Sequence, residues 1–164
     1  MFQQIRSQVV SNVAAVGTAT FLGLAPEVAV AQATDERRER GAAVIRGLNN
    51  GMTQPTLEGM RREFPFLAEA TEAYALGDVW SRPGLDNRTR QLAAIAAFAA
   101  IGETAYMKIH AGYALNIGVS EEELKEVIYM VTVPAGFPKA IAASQVLSQL
   151  FEERRETENG ETKP

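Results

Sequence analysis

Hydrophobic positions recur along most of the chain at three- and four-residue spacing, the period of a helix with one buried face. Ala42, Ala43, Ile45 and Leu48 make such a face over residues 35–50, which Asp35 can cap and Asn49-Asn50-Gly51 stops. A short segment from Gln54 to Glu63 carries Leu57 and Met60. Phe64-Pro65-Phe66 then opens a helix whose apolar side reads Leu67, Ala70, Ala73, Tyr74 and Leu76. Residues 78–86 break the period, with a turn signal at Pro83-Gly84. From Asn87 the chain is Ala-rich, and from Leu92 to Ile101 it is apolar nearly all round. That pattern predicts a helix capped by Asp86 and buried on most sides, by its own domain or by a neighbouring subunit.

Gly102 stops that helix, and Glu103 to Asn116 reads as a second one running back antiparallel to it. Ser120 and Glu123 have the spacing of a capping box, followed by the stripe Leu124, Val127, Ile128 and Val131. Pro134 and Gly136 end this helix. Pro138 suits the first turn of a last one, with Ile141, Val146, Leu147, Leu150 and Phe151 facing inward. No strand pattern of useful length occurs. The expected fold is all-α, a compact bundle of about six helices with the pair 87–101 and 103–117 at its centre.

Composition adds limits. At 164 residues the chain can bury one real core. The net charge of −4, with no strong basic cluster, gives no footprint for nucleic acid; Arg37-Arg38 and Arg61-Arg62 read as solvated helix faces. There is no cysteine, which removes thiol catalysis and disulfides. Residues 1–33 read as a signal peptide. Arg6 is the only charge before Glu27, an apolar stretch runs from Val9 to Ala25, and small residues offer cleavage after Ala31 or Ala33. The mature domain is then 34–155, periplasmic or secreted and not membrane-bound; the alternative is an uncleaved, cytoplasmic chain. The charged end, 156–164, is expected to be disordered.

Polar groups that interrupt apolar helices mark the candidate chemistry. His110 is the only histidine and can give or take a proton near neutral pH, though a lone helical histidine can equally be a packed core residue. Glu103 and Tyr106 precede it by seven and four residues, on one helix face. Glu103 reads either as part of that site or as a first-turn charge, and Tyr106 as an oxyanion donor or as packing. Trp80 is a pocket wall or core. Arg82 and Arg88 either grip a substrate carboxylate or form ordinary salt bridges. Arginines so near a helix start oppose its dipole and call for a compensating partner.

The run GDVWSRPGLDNRTRQL (77–92), the Ile-Gly-Glu…His…Ala-Leu-x-Ile-Gly-Val-Ser run (101–120) and AGFPKAIAA (135–143) together resemble the carboxymuconolactone decarboxylase family. The resemblance covers about residues 36–155. It implies an alkylhydroperoxidase-like fold, a homo-oligomer (trimer or hexamer) and a small-molecule substrate, a lactone or carboxylic acid. It also implies cofactor-free, metal-free decarboxylation by acid–base catalysis. Carried over by position, it makes His110, Glu103, Tyr106 and Asp78 catalytic, and Trp80, Arg82 and Arg88 substrate-binding. The family's thiol peroxidases place cysteines where Glu103 and Tyr106 stand, so that activity is excluded. Asp78 replaces a usual glutamate, Gly112 a frequent arginine and Pro134 a frequent aromatic or cysteine, which argues for a shifted substrate. The alternatives on the same scaffold are an isomerase, a lactone hydrolase or a non-catalytic binding protein.

Overall fold

A computed structural model describes residues 26–161. They form seven α-helices and one π-helix: α1 Pro26–Leu48, α2 Pro55–Glu63, α3 Pro65–Ala70, the π-helix Thr71–Trp80, α4 Asn87–Ile101, α5 Thr104–Asn116, α6 Glu121–Ala135 and α7 Phe137–Glu161. No strand occurs among these residues.

Local sequence sets the boundaries around the centre. The Asp86 carboxylate accepts from the Thr89 N–H at 2.7 Å and starts α4. Gly102 ends it in the left-handed conformation at φ 88°. The capping box at Ser120 and Glu123 forms, and Gly136, at φ 83°, closes α6. Helices α4 and α5 run antiparallel: Gln91 faces His110 while Phe98 faces Tyr106, so one index rises as the other falls.

Helices α4 to α7 surround the main core, which includes Ile95, Ala99, Met107, Ala111, Leu124, Ile128, Val131 and Leu147. A second cluster joins α1 to α5 through Ile45, Leu48 and Tyr113, with Leu76 and Trp80 packed against it. Glycines let α1 and the π-helix come close. A Cβ on Gly41 would overlap the Glu72 carbonyl, and one on Gly77 would overlap the Arg37 carbonyl. Glu72, only 3% exposed, is held by Arg61 of α2 and Arg38 of α1.

Several sequence expectations are corrected. The 65–80 segment does not keep a 3.6-residue period; Ser81 N–H bonds to Leu76 O at 3.1 Å, a five-residue step. Inward positions therefore fall at Ala68, Glu72, Ala73 and Gly77, while Leu67 and Tyr74 are exposed. Asp78 and Trp80 thus end a helix rather than lying in a loop. On α7, Ala140 and Ala143 take the inner face and Ile141 is exposed, because the small side chains are the ones packed into the core with α4 to α6. On α4, Ala93, Ala97 and Ile101 are exposed in the single chain. Helix α1 begins nine residues before Asp35, since no glycine or further proline lies between Pro26 and Asp35. The positions Ala31 and Ala33 lie within it, and residues 1–25 of the expected leader lie outside the described residues. The tail expected to be disordered from 156 is helical as far as Glu161. Lys108–Glu153, Arg154–Asn116 and Arg155–Glu121 contacts anchor the preceding turns, and helix propagation carries the rest.

Candidate active site

His110 sits midway along α5, facing α4 and the end of the π-helix. Its Nδ1 lies 2.8 Å from Oε1 of Gln91, a side chain with 0% exposure. With the amide oxygen accepting, Nδ1 carries the proton and Nε2 keeps its lone pair. Aromatic rings enclose the imidazole. Trp80 lies tilted at 5.3 Å between centroids, Phe98 stacks at 5.2 Å and Tyr113 meets it edge-on at 6.1 Å. None of these contacts is charged. Burial therefore pushes the imidazole down to about 4, and it rests neutral at pH 7.

Tyr106 does not touch His110 through its ring. It stacks on Phe98 at 5.7 Å and is half exposed. Glu103 is the exposed N-cap residue of α5 and makes no side-chain capping bond. Asp78 points to α1, where Arg37 Nε donates to it at 2.7 Å and Arg40 at 3.3 Å. These guanidiniums hold its carboxyl below the usual carboxylate range. Arg88 pairs with the capping Glu123, and Arg90 donates to the carbonyls of Leu85 and Arg82. Those partners offset the helix dipole that both arginines oppose.

Arg82 is exposed and makes no ion pair among the described residues. It lines a hollow of about 510 Å³ together with Arg40, Trp80, Ser81 and Asn87. Trp80 is thus shared, packing on His110 and lining this hollow. A larger hollow, about 690 Å³, lies elsewhere, against α5 and α7. It borders the His110 surroundings through Tyr113, whose hydroxyl accepts from Gln54 Nε2 at 2.7 Å, and Gly112 opens into it. Its cations are already engaged, Lys108 with Glu153 and Arg154 with Asn116. The hollow beside Trp80 differs in holding a cation without an ion pair, Arg82. Among the described residues no three His, Cys, Asp or Glu side chains cluster to hold a metal.

The carboxymuconolactone decarboxylase family model matches residues 65–149, which run from α3 through most of α7 and include every group around His110. This chain belongs to that family. Within it, the chain is 39% identical over 80 residues to 4-carboxymuconolactone decarboxylase from Acinetobacter baylyi, covering 49% of this chain and 60% of that protein. It is 35% identical over 89 residues to nitrosuccinic acid decarboxylase from Metarhizium robertsii, covering 51% and 61%. The chain thus spans about three fifths of the length of these two relatives. Both of these relatives are named as decarboxylases.

The sequence pattern brought His110 and Trp80 forward, and they meet. It passed over Gln91, Phe98 and Tyr113. Gln91 had a usable signal: with Ile95 and Ala99 it occupies the buried i, i+4, i+8 face of α4, where an amide is out of place unless it has a partner.

Proposed function

We propose that this protein removes carbon dioxide, without a cofactor, from a small acid whose carboxylate stands beside an electron sink, and that His110 supplies the proton. The carrying observation is the buried His110–Gln91 pair enclosed by Trp80, Phe98 and Tyr113. The two relatives' names pair a carboxyl group with a second electron-withdrawing group, a lactone carbonyl in one and a nitro group in the other. In such an acid the bond to the departing carboxylate breaks, and its electron pair moves into the carbonyl or nitro group. The resulting enolate or nitronate needs one proton on carbon, which the imidazole gives and then regains from solvent.

A neutral resting imidazole fits this sequence. An anion arriving beside an imidazole in a poorly solvated site raises its proton affinity, so substrate binding loads the proton. Arg82, unpaired and at the hollow, is the best anchor for a substrate carboxylate; Arg88 is occupied by Glu123. Tyr106 and Glu103 are exposed near the start of α5, and Asp78 acts through the position of the π-helix. We further propose a homo-oligomer, since Tyr129, Val133 and Phe137 leave an apolar face open on the single chain. We also propose export after cleavage at Ala31 or Ala33; light scattering and the intact mass of exported protein test these two points.

The test is carbon dioxide release from 4-carboxymuconolactone and from nitrosuccinate by wild type and His110→Ala. Release by wild type, lost in the variant, is the expected result. No release from either acid by a folded wild type overturns the reading, and lactone turnover without carbon dioxide redirects it to an isomerase or hydrolase.

A further inference from the structure

Only two buried side-chain polar atoms among the described residues lack a hydrogen-bond partner: Nε1 of Trp80 and Nε2 of Gln91. Both are N–H donors. Both belong to residues in direct contact with His110, Gln91 through its Oε1 at 2.8 Å and Trp80 through its ring at 5.3 Å. A buried donor without an acceptor carries its full desolvation cost, and native proteins rarely leave one so. Two of them on the same imidazole point to a ligand that brings the acceptors.

We propose that the indole N–H of Trp80 and the free amide N–H of Gln91 bind the oxyanion that develops as the carboxylate departs, the enolate or nitronate oxygen. This rests on the decarboxylase reading above and names the groups that would hold its intermediate. The choice of residue types fits the task. Neutral donors respond most where charge appears, and so favour the transition state over the ground state. A cation there would also grip the substrate carboxylate and would press the imidazole further from its protonated form.

Gln91 has a double part. Its Oε1 accepts from Nδ1–H of His110 while its Nε2–H remains to give. Protonation of Nε2 on the imidazole strengthens the Nδ1–H bond, polarises the amide and makes its N–H a better donor. Loading the proton and preparing for the oxyanion are then one event. A carboxylate at position 91 would instead hold the proton on the imidazole and repel the oxyanion.

The probe is the nitronate of 3-nitropropionate, generated in base and used before it reprotonates; it carries a planar oxyanion and cannot lose carbon dioxide at the same carbon. Trp80 is the only tryptophan, so its indole N–H gives one assignable resonance in the full-length protein. Saturating nitronate should move that resonance downfield, and 3-nitropropionate itself should not. Trp80→Phe keeps the ring and removes the donor; Gln91→Met keeps length and removes both amide functions. Each should lower kcat by about 10²-fold with KM little changed, and each should weaken nitronate binding more than binding of 3-nitropropionate. An unmoved indole resonance at saturation, or wild-type kcat in folded samples of both variants, overturns the proposal. If wild type releases no carbon dioxide from either acid, the reaction reading fails by itself, and the nitronate titration still decides for or against the donor pair.

Discussion

Acidification should find His110 long after an ordinary histidine has titrated. Its contacts are three aromatic rings and one neutral amide, so nothing repays the desolvation of an imidazolium. The displacement from 6.5 to about 4 corresponds to about 3 kcal/mol. The direction follows from proton binding. Between pH 6.5 and about 4 the unfolded chain holds a proton on this residue and the folded chain does not, so stability rises with pH in that window. The contribution is whole above pH 6.5 and is lost as pH falls to about 4.

Two assays read this directly. One histidine in the chain gives one set of imidazole signals, so a nitrogen-detected titration yields the midpoint and the tautomer together, with Nδ1 protonated at neutral pH. Urea unfolding of wild type and His110→Gln at pH 7, 5.5 and 4 gives the linkage. The wild type should lose about 3 kcal/mol relative to the variant across that range. Asp78 and Asp86, whose carboxyls are lowered by Arg37 and by the Thr89 N–H, lose their contributions at lower pH in both proteins and cancel in the difference. A midpoint near 6.5, or a difference that stays flat from pH 7 to 4, would refute the buried, uncharged environment and with it the proton-loading step.

Other perturbations separate the supports of the site. Gly77→Ala should destabilise by about 3 kcal/mol or abolish folding, because its Cβ would strike the Arg37 carbonyl, whereas Gly47→Ala, open to solvent on α1, should be neutral or stabilising by up to about 1 kcal/mol in thermal melts. Glu72→Gln should cost about 2 kcal/mol in urea unfolding, since it leaves Arg61 and Arg38 without their buried carboxylate, and Arg61 is only partly exposed. Ser120→Ala should cost about 1 kcal/mol by removing one arm of the capping box.

What the sequence made legible was local chemistry. Asp86, Gly102, Ser120 and Gly136 mark helix ends by their own side chains or by the lack of one, and the structure ends its helices there. What it hid was set by distant partners. The π-type winding of residues 71–80 depends on Gly41 of α1 letting the Glu72 carbonyl approach, and no pattern within the segment announces that. The alanines of α4 looked buried on every side, yet which side meets α5 and which stays open follows from packing, not from composition. Tyr106 and Glu103 share a helix face with His110, but two turns of helix separate Glu103 from it, and the Tyr106 ring packs on Phe98 instead of the imidazole.

The π-helix connects these observations. Its last residue is Trp80, whose ring must reach His110 and whose N–H is proposed to meet the substrate. A helix wound by five-residue steps turns its end residue to a different face from an α-helix of the same sequence. That winding is held from outside. Arg40 donates to the Gly77 carbonyl at 3.2 Å, Ser81 donates to the same oxygen at 2.5 Å, and Arg37 and Arg40 hold Asp78 two residues before the tryptophan. In the proposed reaction Asp78 would then serve by aiming Trp80 rather than by moving a proton. Asp78→Asn keeps the shape and weakens the ion pairs, so it should lower kcat through the Trp80 contact while leaving the His110 midpoint near 4, since the imidazole touches no charge from this cluster. A proton-transfer role for Asp78 would instead move the pH dependence of kcat and leave the Trp80 indole resonance in place.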